Sequence, residues 1–124
     1  MFDIGIEIKE FNGEGYMPLV KYDGWRVAII NSSDKLLEKN ICKIERHLTS
    51  DEVFVLLEGN SNLYIGESLK KIQMEVGKIY NVKCGEWHCI SMDENTKVAI
   101  VENHDVGDEN SEYRYYEKGG IINV

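Results

Sequence analysis

The sequence predicts an all-β chain, a barrel or sandwich of mostly antiparallel strands with at most one or two short helical turns. Three observations carry that prediction. Short runs rich in β-branched and aromatic residues recur along most of the chain. The breaks between them are rich in Gly, Asp, Asn and Ser, the residues that turns select. Apolar residues almost nowhere recur at the three-and-four spacing of a helix face.

In chain order the runs are YMPLVKY (16–22), WRVAIIN (25–31), ICKIERHL (41–48), EVFVLLE (52–58), NLYIG (62–66), KIYNVK (78–83), WHCISM (87–92) and KVAIVEN (97–103). The turn signals YDGW, SSDK, EGNSN, KCGE and MDENT fall between them. SSDKLLEKN offers one capped helical turn and GESLKKIQ a second. The strand core therefore spans about 16–104, and the tail 105–124 begins acidic and polar before EYRYYE, which reads as an edge strand or an arm packed on a partner. No internal repeat divides the chain, and 124 residues suit one domain, 1–124.

Within EVFVLLE the run VFVLL departs from strict alternation. Val53, Val55 and Leu57 would lie exposed if only one face of that sheet were covered, so both faces are expected to be buried. A second copy of the chain is the simplest cover, and a homodimer is expected.

A hydrophobic share of 43% with 29% charged residues is that of an ordinary globular protein, which excludes the disordered and membrane classes. Net charge is −8 and the one Lys pair sits in SLKKIQ, so neither nucleic acid nor an anionic membrane is an expected partner. The N-terminus MFDIGIEIKE has no signal-peptide pattern. Three cysteines, Cys42, Cys84 and Cys89, without CxxC spacing argue against a disulfide framework. Together these features predict a cytoplasmic location.

The chemistry lies in ERHLTSDEVFVLLEGN (45–60). Glu45 and His47, two apart on a strand, project from the same face. Glu52 opens the next strand, and His88 arrives from a third after the turn KCGEW. Two imidazoles and one or two carboxylates converging inside a barrel suit a divalent transition metal: Mn, Fe, Ni, Co or Zn. Cys89 is a poor fifth candidate, because it neighbours His88 and must face the other way.

At these residues the chain resembles the cupins, small β-barrels of the jelly-roll (double-stranded β-helix) type. His47, Glu52 and Gly59 stand at the spacing of the second histidine, the glutamate and the closing glycine of the first cupin motif. Gly77, Gly85 and His88 match the second motif. The resemblance covers roughly 40–92, with departures: Glu45 replaces the first histidine, Lys39 the opening glycine, Lys83 the proline and Met92 the asparagine. It implies metal ligands His47, Glu52 and His88, with Glu45 either a fourth ligand or a general base beside an open coordination position.

The period of two places Glu86, Ile90 and Met92 on the face of His88, and Phe54 and Leu56 on that of Glu52, as pocket walls. Arg26 is a candidate for an anionic substrate, though a salt-bridged arginine is the commoner outcome. Trp25, Trp87, Tyr64 and Tyr80 read as core or interface aromatics, and His104 as a loop residue. Two functions of different class follow: a metal-dependent enzyme acting on a small sugar or carboxylate by isomerase, lyase or dioxygenase chemistry, or a metal-free small-molecule-binding barrel. A purely structural dimer would explain VFVLL but leaves the inward acids unexplained.

Overall fold

The structure, a computed structural model, describes residues 5–123. Among them the strands are β1 (Gly15–Tyr22), β2 (Trp25–Asn31), β3 (Lys43–His47), β4 (Glu52–Glu58), β5 (Ser61–Ile65), β6 (Lys70–Gln73), β7 (Tyr80–Val82), β8 (His88–Met92), β9 (Lys97–Asn103) and β10 (Ser111–Tyr115). They form two five-stranded antiparallel sheets, β1-β2-β9-β4-β7 and β10-β3-β8-β5-β6. This is a jelly-roll barrel. The single proline, Pro18, lies on edge strand β1 at a register shift, where a missing N–H costs no ladder bond.

Strands β2, β4 and β9 take the bounds that alternation predicts. SSDKLLEKN forms two 3-10 turns, Asp34–Leu36 and Glu38–Asn40. GESLKKIQ is a correction: after one tight turn closed by the Leu69 N–H on the Gly66 carbonyl, its second half is β6, paired along β5 from Asn62–Gln73 to Ile65–Lys70. In the tail EYRYYE takes the edge-strand reading: β10 pairs along all of β3, Ser111 opposite His47 and Tyr115 opposite Lys43.

Between the sheets Ala28, Ile30, Phe54, Leu56, Leu63, Met92, Val98 and Ile100 interdigitate as the main core. A second cluster covers the outer face of the β10-to-β6 sheet: Ile44, Tyr64, Leu69, Trp87 and Cys89 pack against Ile121 from the tail. Ile121 is buried, and its burial contributes about 2 kcal/mol. The tail thus holds β3 in place by an edge strand and an apolar plug. No helix among the described residues is long and apolar enough to cross a membrane.

On the outer face of the other sheet, registration aligns Val27, Val101 and Val53 in one row and Ile29, Ala99 and Val55 in the next. All six are half-buried, and Leu57 beside them is 45% exposed.

Two turns fix the site. Gly59 follows β4 with φ +86°, and a Cβ there would stand 2.3 Å from Thr96 Oγ1 and 2.6 Å from its Cα. Gly85, at φ +85°, donates its N–H to the His47 carbonyl at 2.8 Å, tying the end of β3 to the turn that launches β8. Only a residue at ease in the left-handed region makes either turn without strain.

Candidate metal centre

Glu45, His47, Glu52 and His88 each offer a ligand atom, and these atoms lie within 4.8 Å of one another. β3 supplies the first two from one face, β4 opens with the third, and β8 opens with the fourth. Glu45 and His88 are registered neighbours across β3 and β8. The Glu52 Oε1 is the hub, 3.1 Å from His47 Nε2 and 3.0 Å from His88 Nε2. Glu45 Oε1 is farther out, 3.8 Å from His47 Nε2, and its side chain is 36% exposed.

The outer nitrogens of both rings are anchored. His88 Nδ1 bonds the Glu86 carbonyl at 3.0 Å and His47 Nδ1 bonds Ser111 Oγ at 2.8 Å. A carbonyl can only accept, so the His88 Nδ1 carries a proton. Its Nε2 then meets the Glu52 carboxylate either as a second N–H donor or as a lone pair turned toward a cation held between them. The donor set therefore fits a divalent ion, with the outer partners orienting the imidazoles as metal-binding histidines require.

Electrostatics agree. Burial would raise the Glu52 carboxyl, but hydrogen bonds with His47, His88 and Glu102 outweigh it and hold the group well below the ordinary carboxylate range. Burial would lower His47, and the Glu52 hydrogen bond with the charges of Glu52 and Glu45 raises it instead. Both results describe one carboxylate stabilised by positive charge beside it.

No family model matches the sequence, and no curated protein matches it. Solved structures do. Pac13, a nucleoside dehydratase known from Streptomyces forms with uridine, aligns at TM-score 0.65 and 10% identity over 90% of this chain and 88% of that one. A cupin-2 domain protein from Shewanella frigidimarina aligns at TM-score 0.60 and 18% identity over 76% and 85%. A cupin superfamily protein from Desulfitobacterium hafniense aligns at 0.57 and 19% over 81% and 84%. The fold is a cupin barrel.

In this barrel the four residues line a cavity of 380 Å³, Glu52 from one sheet and Glu45, His47 and His88 from the other. Beside Glu52, on the same sheet, stands a cluster the sequence reading missed. Arg26 Nη2 and Nε bond Glu102 Oε2 at 2.6 and 3.0 Å, and the Tyr16 hydroxyl donates to the same oxygen. Arg26 is also cradled by the carbonyls of His104 and Val106, at 3.2 and 3.0 Å. It is thus the salt-bridged arginine and a cavity residue at once. Burial, then the facing Glu52 carboxyl, push Glu102 up to about 7 against the pull of Tyr16 and Arg26. With those two bound to Oε2, the other oxygen is left to share a proton with Glu52. Alternation held the signal: Val98, Ile100 and Glu102 are the inward positions of β9, and a lone acid in that series stands out.

Other expectations need correction. Glu86 is exposed and precedes β8, so only its backbone serves the site. Ile90 and Phe54 line the cavity, whereas Met92 and Leu56 lie in the core beyond it. Cys89 packs in the outer cluster, where burial pushes its thiol up to about 12. Trp87 is buried beneath the Arg46 and Arg114 guanidinium groups, 4.7 and 4.2 Å from its ring centre. Tyr64 is buried and Tyr80 packs against the core, while Trp25 is 44% exposed. His104 sits in the turn after β9.

Proposed function

We propose that this cupin is a metal-dependent enzyme, an isomerase or lyase acting on a small hydroxylated metabolite of the sugar or nucleoside kind. The observation that carries the reading is the convergence of His47 Nε2 and His88 Nε2 on one buried carboxylate oxygen of Glu52 within a four-ligand cluster, with both rings held at their outer nitrogens. His47, Glu52 and His88 hold the ion. When bound, a divalent metal supplies Lewis-acid polarisation of a substrate oxygen. Glu45, half-exposed at the rim of the cluster, takes a proton from the adjacent substrate carbon. The Arg26–Glu102–Tyr16 cluster, beside Glu52, orients the substrate next to the ion and holds a proton at Glu102. That a neighbour of the same fold is a nucleoside dehydratase, itself a lyase, supports proton-transfer chemistry over dioxygen insertion.

Elemental mass spectrometry on protein purified without a metal-affinity column tests the reading. Near-stoichiometric Mn, Fe, Ni, Co or Zn is expected in the wild type and in Glu45→Gln, and none in His47→Ala/His88→Ala. Metal-free wild type after incubation with each ion would make the pocket a non-enzymatic ligand cavity.

We propose further that a second copy of the chain covers the valine and isoleucine rows on the outer face of β2, β9 and β4. Light scattering coupled to size exclusion is expected to give a dimer, and Val53→Glu a monomer; a wild-type monomer at micromolar concentration removes the proposal. Three free thiols, two of them exposed, suit a reducing cytoplasm.

A further inference from the structure

The cavity at the metal centre does not end there. A second cavity of 680 Å³ shares Ile30, Glu45, Cys89 and Ile90 with the first, so the two form one cleft. The cleft follows β3. Lys43, Glu45 and His47 alternate onto the same face of that strand, and their partners on β10 are Tyr115, Tyr113 and Ser111 in turn. Three rungs therefore run from the candidate ligands to an outer mouth, about 13 Å away at the rise of a strand.

The two ends differ in charge. The inner end carries Glu45, Glu52 and Glu102, whereas Lys35, Lys43 and Lys118 stand around the outer end against a single carboxylate there, Asp34. Among the described residues these three ammonium groups have no ion-pair partner, although the chain as a whole carries eight surplus negative charges. Lys43 folds back over the Tyr113 ring, 4.7 Å from its centre, one rung closer to the metal centre. Between the two ends the walls are apolar: Ile30, Leu36, Ile41 and Ile90.

From this polarity we infer that the outer cavity is a second binding subsite, which takes the terminal anion and apolar middle of an elongated substrate whose other end reaches the metal centre. The ligand class is an amphipathic molecule of about 13 Å ending in a phosphate or carboxylate. Three unpaired cations around one concave apolar wall are a standing attraction for such an anion. The inference rests on the proposed metal site only for which end of the molecule reacts; the anion subsite itself needs no metal.

Isothermal titration of metal-free protein with hexyl phosphate, hexanoate and hexanol tests it. At least one anion is expected to bind about tenfold or more tightly than hexanol, the sum of three modest charge contacts. Lys35→Gln/Lys43→Gln/Lys118→Gln removes that advantage and leaves hexanol binding unchanged, with an unaltered melting curve showing that the variant folds. Preference for hexyl phosphate over hexanoate assigns the anion as phosphate, and the reverse assigns it as carboxylate. His47→Ala/His88→Ala keeps the anion advantage. Its loss in that variant rather than in the lysine variant puts the anion at the metal centre and overturns the inference, as does equal or absent binding of all three probes. Metal content measured on the same preparations reports on the metal site separately.

Discussion

Glu52→Gln is expected to lower divalent-metal affinity by more than about a hundredfold, the upper end of what losing a partner of a ligand costs, because Glu52 Oε1 is the atom both imidazoles converge on. Competition with a fluorescent chelator measures it. The same variant has a second expected effect on the metal-free protein. Glu102, raised from 4.5 to about 7, is protonated when folded and ionised when unfolded across that interval, so stability falls as pH rises through it. His47 is raised from 6.5, so its contribution too is present at lower pH and lost as pH climbs through its folded value. Glu52 acts oppositely, contributing stability above 4.5 that is lost in acid. The Glu52 carboxylate adds to the burial that raises Glu102 and outweighs the burial that would lower His47, so Glu52→Gln is expected to make the denaturation midpoint less steep against pH from about 4.5 to about 7. A variant as steep as the wild type would mean that Glu102 and His47 are not electrostatically tied to Glu52.

Gly59→Ala is expected to be the most destabilising single methyl in the protein. The new Cβ meets both the hydroxyl and the backbone of Thr96, a buried residue whose Oγ1 accepts from the Asn60 N–H at 3.0 Å and donates to the Asn60 carbonyl at 3.1 Å. Neither can retreat without breaking that pair. Left-handed strain and overpacking together cost about 3 kcal/mol, a fall in melting temperature of about 10 °C for a chain this size. Gly85→Ala, with nothing within 4 Å of its added Cβ, bears the backbone strain alone and is expected to fall by less than half as much. Equal losses at the two positions would show that the Thr96 contact yields freely.

The same contrast explains what could be read before the fold was seen. β2, β4 and β9 were legible because each buries alternate residues, and alternation is a property of the local sequence. β6 was not: of Lys70–Gln73 only Ile72 is even half-buried, so the strand exists through its pairing with β5 rather than through its own pattern. Within the site, His47, Glu52 and His88 were legible because turns of set length bring them together. Tyr16 and Arg26 meet Glu102 across β1, β2 and β9 through a register that local spacing does not encode, although Glu102 itself broke an apolar series. Ser111, which steadies the His47 ring, lay in a tail that composition marked only as polar.

That tail ties the order of the site to the edge of a sheet. β10 is the edge strand beside β3, its Ser111 bonds the His47 ring, and Ile121 packs with Ile44 on the outer face of the same strand. An edge strand has a neighbour on one side only and is the part of a sheet that opens first. Whatever lifts β10 from β3 also frees the His47 ring to turn, so fraying at this border and loss of order among the candidate ligands are a single event.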